Sequence, residues 1–344
     1  MADAAPAQKP VSLALQGGGA HGAFAWGVLD AILEDGRLSV EAISATSAGA
    51  INAVLFADGL AAGGSTGARD KLAAFWREVS RMEQLFGMAW SSFDRLAQAF
   101  GLPPEYMPSH AAVHALTHSL PPDLLNPFRF NPLRKLLLEA IDFERMNAVA
   151  PVRLFLGATN VRTGKLAVFE TPRITVETVL ASACLPPYYQ AVEVAGEYYW
   201  DGGFLGNPAI YPLVYRDGAR DVIVVQVGAI VRPELPRTAA EVMHRMNEIS
   251  FNSSLMREMR AVAFVTRLID QHELDADKHP RMFMHWIGDD ADMAELGAVT
   301  QFHPDWGLLS RLHEQGRQAA RTWLAANIEQ VGRSSTLDVA AKFL

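Results

Sequence analysis

Residues 11–22 read VSLALQGGGAHG and residues 40–49 read VEAISATSAG; these two stretches decide the fold class. Val11–Gln16 is a short apolar run with a β-branched start, which predicts a strand, and it runs directly into Gly17-Gly18-Gly19. From Ala20 to Leu33 the apolar residues Phe24, Val28, Leu29, Ile32 and Leu33 recur at helical spacing. Asp35-Gly36 supplies the stop. Val40–Thr46 predicts a second strand, and Ala48–Leu60 a second helix rich in small residues. Strand, helix, strand, helix within 60 residues implies a parallel sheet of the α/β kind.

Residues 1–10, MADAAPAQKP, read as a flexible lead-in. They lack a basic start followed by an apolar run, so no secretory signal is expected and a cytoplasmic protein is. From residue 81 to 118 the chain is dense in Met, Phe and Trp and punctuated by Gly and Pro. A helical cap insertion is therefore expected at about 81–130. Strands follow at Val152–Ala158 and Leu166–Phe169, paired across Arg162-Thr163-Gly164. A helix from about Ile174 to Ala183 precedes a strand pair around Val192–Trp200. Asp221–Val227 has the pattern of a buried strand. Helical periodicity covers Ala239–Asp270 and Leu308–Ile328, so a C-terminal helical part is expected at about 236–335. No repeat or low-complexity linker interrupts this, which favours one domain over 11–344.

Composition removes several functions. With 30 Lys+Arg against 38 Asp+Glu the net charge is −8, and no basic tract appears, so a nucleic-acid partner is not expected. The single cysteine, Cys184, excludes an intrachain disulfide and a cysteine zinc site. The apolar run Val222–Val231 is too short to span a bilayer. Hydrophobic residues make up 50% of the chain, enough to exclude disorder and to leave apolar surface over.

Gly17–Gly22 satisfies the dinucleotide pattern G-x-G-x-x-G, but that reading needs an acidic residue at the end of the second strand. Glu41 lies near its start, and Ser47 stands after its end. The alternative uses both stretches. Ser47, at a strand-to-helix junction among Ala45, Ala48 and Gly49, has the setting of a nucleophile elbow, a tight turn in which bulky neighbours would clash. A helix N-terminus favours charge developing there. The glycine run then becomes an oxyanion hole, because N–H groups without side chains approach an intermediate closely. Ser47 as a plain helix cap is the competing reading. An α/β-hydrolase places several strands before its nucleophile, whereas only one precedes the Ser47 strand here. A third element, Asp201-Gly202-Gly203, follows Tyr198-Tyr199-Trp200; alone it reads as a turn.

In this order the three elements resemble the patatin-like family of lipid acyl hydrolases, itself similar to the cytosolic phospholipase catalytic domain. Ser182-Ala183-Cys184-Leu185-Pro186-Pro187 also looks like that family, and the resemblance spans about residues 11–231. It implies a three-layer α/β fold with a central, largely parallel sheet and helices on both faces. It implies a serine lipid acyl hydrolase, a phospholipase A-type enzyme or lipid esterase, acting through a Ser47–Asp201 dyad and an acyl-enzyme. Gly17, Gly18, Gly19 and Ala48 would supply the oxyanion hole; Ala45, Gly49, Gly22, Gly202 and Gly203 would support the elbow and loops. Neither cofactor nor metal is implied, and the partner is a lipid or other acyl ester, with peripheral contact to a lipid surface. The rival readings are a noncatalytic lipid- or granule-binding scaffold and an esterase or thioesterase for soluble acyl groups. Two departures stand out: Ala45 replaces the first elbow glycine, and His21 replaces the Arg or Lys usual after the glycine run.

Other groups read more plainly. His110, His114 and His118 recur every four residues without a carboxylate between them, and are expected to form a polar helix face. Cys184 reads as a packed small hydrophobe. Met243, Met246, Met256 and Met259 are expected in core or cap packing. The aromatic insertion reads equally as core or as a face for acyl chains. His285 and His303 are not expected to complete a triad.

Overall fold

The computed structural model describes residues 8–87, 119–127, 129–186, 189–215, 218–275, 278–279, 281–288, 290–294 and 296–344. Eight strands form one sheet: β1 (Lys9–Leu15), β2 (Leu38–Ala45), β3 (Arg153–Asn160), β4 (Leu166–Glu170), β5 (Val192–Val194), β6 (Glu197–Asp201), β7 (Asp221–Val225) and β8 (Phe283–Ile287). Their order is β5-β6-β3-β2-β1-β7-β8, with β4 also paired to β3. The pairs β1–β2, β1–β7, β2–β3 and β7–β8 are parallel. Those of β3 with β4 and β6, and of β5 with β6, are antiparallel.

Alternation along the central strands produces two cores. Val11, Leu13 and Leu15 of β1, with Ile223 and Val225 of β7, face one cluster; Ala14, Val222 and Val224 face the other. The first cluster is closed by α1 (Gly22–Asp35), α2 (Ala48–Gly87) and α7 (Trp306–Asn327), the second by α6 (Ala239–Asp270) through Leu255 and Met259. Burial on both faces is why these strands read as continuous apolar runs. Three shorter helices, α3 (Pro132–Ala140), α4 (Phe143–Val149) and α5 (Val176–Ser182), complete the first layer.

Several boundaries follow the sequence signals. Gly36 ends α1 in the left-handed region at φ 72°. Thr238 and Glu241 form a reciprocal capping box at the start of α6. The expected lead-in is shorter than 1–10, because Lys9 and Pro10 already pair with Leu38 and Ser39. α2 continues beyond Leu60 to Gly87 through a kink at Gly63-Gly64. The C-terminal part is not purely helical: β8 lies within it. Its residues FMHWI are a short apolar run without alternation, because Met284 and Ile287 enter opposite cores. Most of the expected cap, residues 88–118, lies outside the described residues, and with it His110, His114 and His118. Among the described residues no helix is long and apolar enough to cross a membrane.

The methionine expectation divides. Met259 is buried and Met256 partly so, but Met243 and Met246 are exposed beside Val242 and Ile249. On that half of α6 the inward positions belong to polar residues: Glu248 binds Arg232 and Arg245, and Asn252 binds Gln16 and Ala229. Hydrogen-bond demand from the underlying loops, rather than apolar burial, sets the orientation of this part of α6.

α1 and α7 pack backbone against backbone. A Cβ on Gly27 would lie 1.9 Å from the His313 carbonyl oxygen, and one on Gly316 would lie 2.0 Å from that of Phe24. Backbone meets backbone at both points, so neither methyl has a flexible neighbour to displace. Gly27→Ala and Gly316→Ala are each expected to lower unfolding stability by about 1–3 kcal/mol in urea titrations. Wild-type midpoints in both variants would show that the helices separate at no cost.

Candidate active site

The chain direction delivers the three sequence elements to one end of the sheet. β1 and β2 are parallel and end level, Leu15 opposite Ala45. Gly17–Gly19 and Ser47 therefore emerge side by side. Along β3, Leu156 pairs with Ala45 of β2, and two residues later Ala158 pairs with Asp201, the last residue of β6. The ends of β2 and β6 thus approach each other with Gly157 between them. A Cβ on Gly202 would lie 2.3 Å from the Gly157 carbonyl oxygen, so only glycine permits the approach there.

Ser47 adopts φ 56°, the left-handed backbone of a strained elbow, directly before α2. The turn is held from three sides. The Ser47 N–H donates to Ser182 Oγ at 3.1 Å, Thr46 Oγ1 donates to the Gly206 carbonyl at 2.6 Å, and the Gly49 N–H returns to the Thr46 carbonyl at 2.9 Å. A Cβ on Gly49 would lie 2.5 Å from the Leu15 carbonyl oxygen, and one on Gly22 would lie 2.7 Å from Ala48 Cβ. Ala45 is fully buried at the end of β2. The sequence signals did not single out Gly157, and they carried Ser182 and Thr46 only as members of motifs, without a role; each acts on a residue distant in the chain.

The Ser47 side chain stands beside the Asp201 carboxylate and favours its charged form. Asp201 is 2% exposed, and its Oδ1 also accepts the Gly203 N–H at 2.8 Å. Burial pushes the carboxyl up to about 6, against the lowering effect of the Gly203 hydrogen bond and the nearby Ser47 side chain. The Asp201 backbone is fixed by its N–H to the Cys184 carbonyl and by Thr159 Oγ1 to its own carbonyl, both at 2.8 Å. Cys184 is buried; its thiol is pushed up to about 12 by burial and by the Asp201 charge, and donates to the Gln190 carbonyl. It is a packed thiol, as the sequence suggested.

The N–H groups of Gly18, Gly19 and Ala48 have no acceptor among the described residues. Gly17 corrects the sequence expectation. Its N–H donates to Asn207 Oδ1 at 2.6 Å, so it is no oxyanion donor. Its role is contact: a Cβ there would lie 2.5 Å from that of Ser47.

These features meet in one comparison. A family model described as patatin-like phospholipase matches residues 13–214, more than half of the chain. The chain belongs to that family. It thereby stands among lipid hydrolases. Two similar solved structures are VipD from Legionella pneumophila and the ExoU–SpcU complex from the type III secretion system of Pseudomonas aeruginosa. VipD shares 17% identity at a TM-score of 0.44, over 94% of this chain and 67% of VipD. ExoU shares 15% at 0.41, over 94% of this chain and 52% of the other, so this chain spans about half its length. No curated protein matches the sequence.

His21, which follows the glycine run, is neutral. It is buried, its Nε2 lies 2.8 Å from Thr300 Oγ1, and it is pushed down to about 3 by burial and then by His244 and Arg232. His285 has both ring nitrogens engaged, with Asp221 and Thr336 at 2.9 Å each. Asp221 opens β7, at the sheet end opposite Ser47. His303 Nδ1 pairs with Glu83 at 3.0 Å. Among the described residues no three His, Cys, Asp or Glu side chains form a metal-binding group.

The raised Asp201 has a consequence independent of activity. Between its ordinary pKa of 3.8 and about 6, the folded protein retains a proton that the unfolded chain has released. The stability contribution of this group therefore falls as pH rises through that window. Asp201→Asn removes the buried charge and is expected to raise Tm over wild type at pH 8, with the gain gone at pH 4. An equal difference at both pH values would contradict the raised carboxyl.

Proposed function

We propose that the protein hydrolyses carboxylic esters of lipids, with Ser47 as nucleophile and Asp201 as its base. The observation that carries this reading is the strained Ser47 beside a buried carboxylate raised to about 6. An ordinary solvated carboxylate is a weak base for an alcohol; desolvation moves Asp201 toward the working pH. Ser47 Oγ adds to the ester carbonyl as its proton passes to Asp201. The oxyanion forms among the N–H groups of Gly18, Gly19 and Ala48, at the N-terminus of α2, where developing negative charge is stabilised. Collapse releases the alcohol, which takes the proton from Asp201, and leaves acyl-Ser47. Water then adds to the acyl carbonyl and gives its proton to Asp201. Collapse returns that proton to Ser47 and frees the fatty acid.

The strained φ at Ser47 supports catalysis over a scaffold role, because a plain helix cap is reached from ordinary extended backbone. The family supports lipid esters over soluble ones. Profiling acyl-chain length with purified protein tests this second point; preference for short soluble esters would favour an esterase instead.

A fluorophosphonate probe is expected to label Ser47, and Ser47→Ala to abolish both labelling and turnover without unfolding. The kcat/KM of wild type is expected to rise with pH through about 6 and then level, as Asp201 ionises. Asp201→Asn is expected to lose several orders of magnitude, whereas His303→Ala stays within about tenfold. A folded His303→Ala as inactive as Asp201→Asn would move the base to the histidine.

A further inference from the structure

Six residues after Asp201, Asn207 is 3% exposed and has its polar groups engaged. Its Oδ1 accepts the Gly17 N–H at 2.6 Å, and its Nδ2 donates to the Gly17 carbonyl at 3.5 Å. The side-chain amide thus pairs with both polar groups of Gly17, as a neighbouring strand would. Its own N–H donates to Ser254 Oγ at 3.2 Å, and its carbonyl accepts from Gln16 Nε2 at 3.3 Å. Gln16 is fully buried. It also accepts the N–H groups of Val227 and Gly228, at 2.9 and 3.2 Å, and donates to Asn252 Oδ1 at 3.0 Å. The amides of Gln16, Asn207 and Asn252 therefore join the ends of β1 and β7, the turn after β6, and α6.

We infer that Asn207 is a positioning residue that fixes the Gly17 peptide against Ser47 and thereby aims the Gly18 and Gly19 N–H groups at the reacting carbonyl. The inference rests on the assignment of Ser47 and Asp201 above. Three consecutive glycines have the largest backbone freedom to lose; the His21 N–H fixes the Gly18 carbonyl at 3.2 Å, but the peptide before it has no side chain of its own to hold it. Asn207 holds the first of them, where the loop touches the nucleophile. Because Asn207 lies on the turn that begins at Asp201, one side chain sets the oxyanion loop relative to both partners of the dyad. Loss of alignment by about 1 Å costs on the order of 10²-fold in rate, as does loss of one oxyanion donor.

The experiment is steady-state kinetics on a long-chain p-nitrophenyl ester, with the rate of fluorophosphonate labelling and Tm measured alongside. Asn207→Leu keeps the approximate volume and removes the pairing with Gly17. It is expected to lower kcat on the order of 10²-fold with KM within about threefold. Labelling should slow in parallel, since the phosphonyl oxygen occupies the same hole. Asn207→Asp retains an acceptor for the Gly17 N–H and is expected to recover most of the loss. Ser254→Ala disturbs the same network without touching Gly17, and should lower Tm while leaving kcat near wild type. If the leucine variant fails to fold, Asn207→Ser, too short to reach Gly17, carries the same expectation. A folded variant with wild-type kcat, a rise in KM alone, or an equal kcat loss in Ser254→Ala would each overturn the role of Asn207. Wild-type protein that neither turns over esters nor is labelled would overturn the dyad together with it.

Discussion

Gly17 and Ser47 are so close that a single methyl group on the glycine would fall 2.5 Å from the Ser47 Cβ. This contact between the ends of two adjacent parallel strands constrains the rest of the site. It requires β1 and β2 to end level, Gly17 to lack a side chain, and α2 to begin directly at the elbow. Gly49, pressed on the Leu15 carbonyl, is needed for the same approach from the other side. Bulk at either point would push the Gly17–Gly19 loop away from Ser47.

The second constraint is electrostatic. Asp201 is buried with no ion pair among the described residues; the Gly203 N–H and the nearby Ser47 side chain are what oppose its desolvation. A carboxylate satisfied by neutral donors remains a better proton acceptor than one held in an ion pair. Asp58, equally buried, shows the contrast: it is paired with Lys71 and Arg145 and ties α2 to α4. The fold thus uses one buried carboxylate as a tie and leaves the other without a counter-charge. Burial likewise keeps His21, beside the glycine run, neutral.

The half of α6 beside the site has its polar side inward. His244, Arg245 and Glu248 surround Arg232, whose guanidinium also holds the Ala294 and Leu296 carbonyls at 2.6 and 2.8 Å. Loops around the strand ends carry unpaired backbone groups that only polar side chains satisfy. The inward face of this helix therefore became polar, and its apolar residues turned outward. Further along, Leu255 and Met259 meet the sheet itself, and the usual orientation returns.

The local signals for a parallel α/β sheet, the glycine loop, the elbow and the Asp-Gly-Gly turn were complete in the sequence, because each is a contiguous run whose backbone geometry restricts its residue types. α6 was also legible over its whole length, since a capping box and long periodicity are local. β8 was not: five residues without alternation gain strand character only from pairing with β7 and filling two cores. The outward Met243 and Met246 were missed because periodicity gives the faces of a helix but not which face meets the loops. Gly17 was misassigned for a related reason. Sequence shows that its N–H is accessible, whereas the acceptor, Asn207, lies 190 positions away in the chain. The sequence by itself determined which backbone turns can form. Tertiary structure alone decided how they face one another and which N–H groups remain open, because those outcomes depend on strand register and on hydrogen bonds between distant segments.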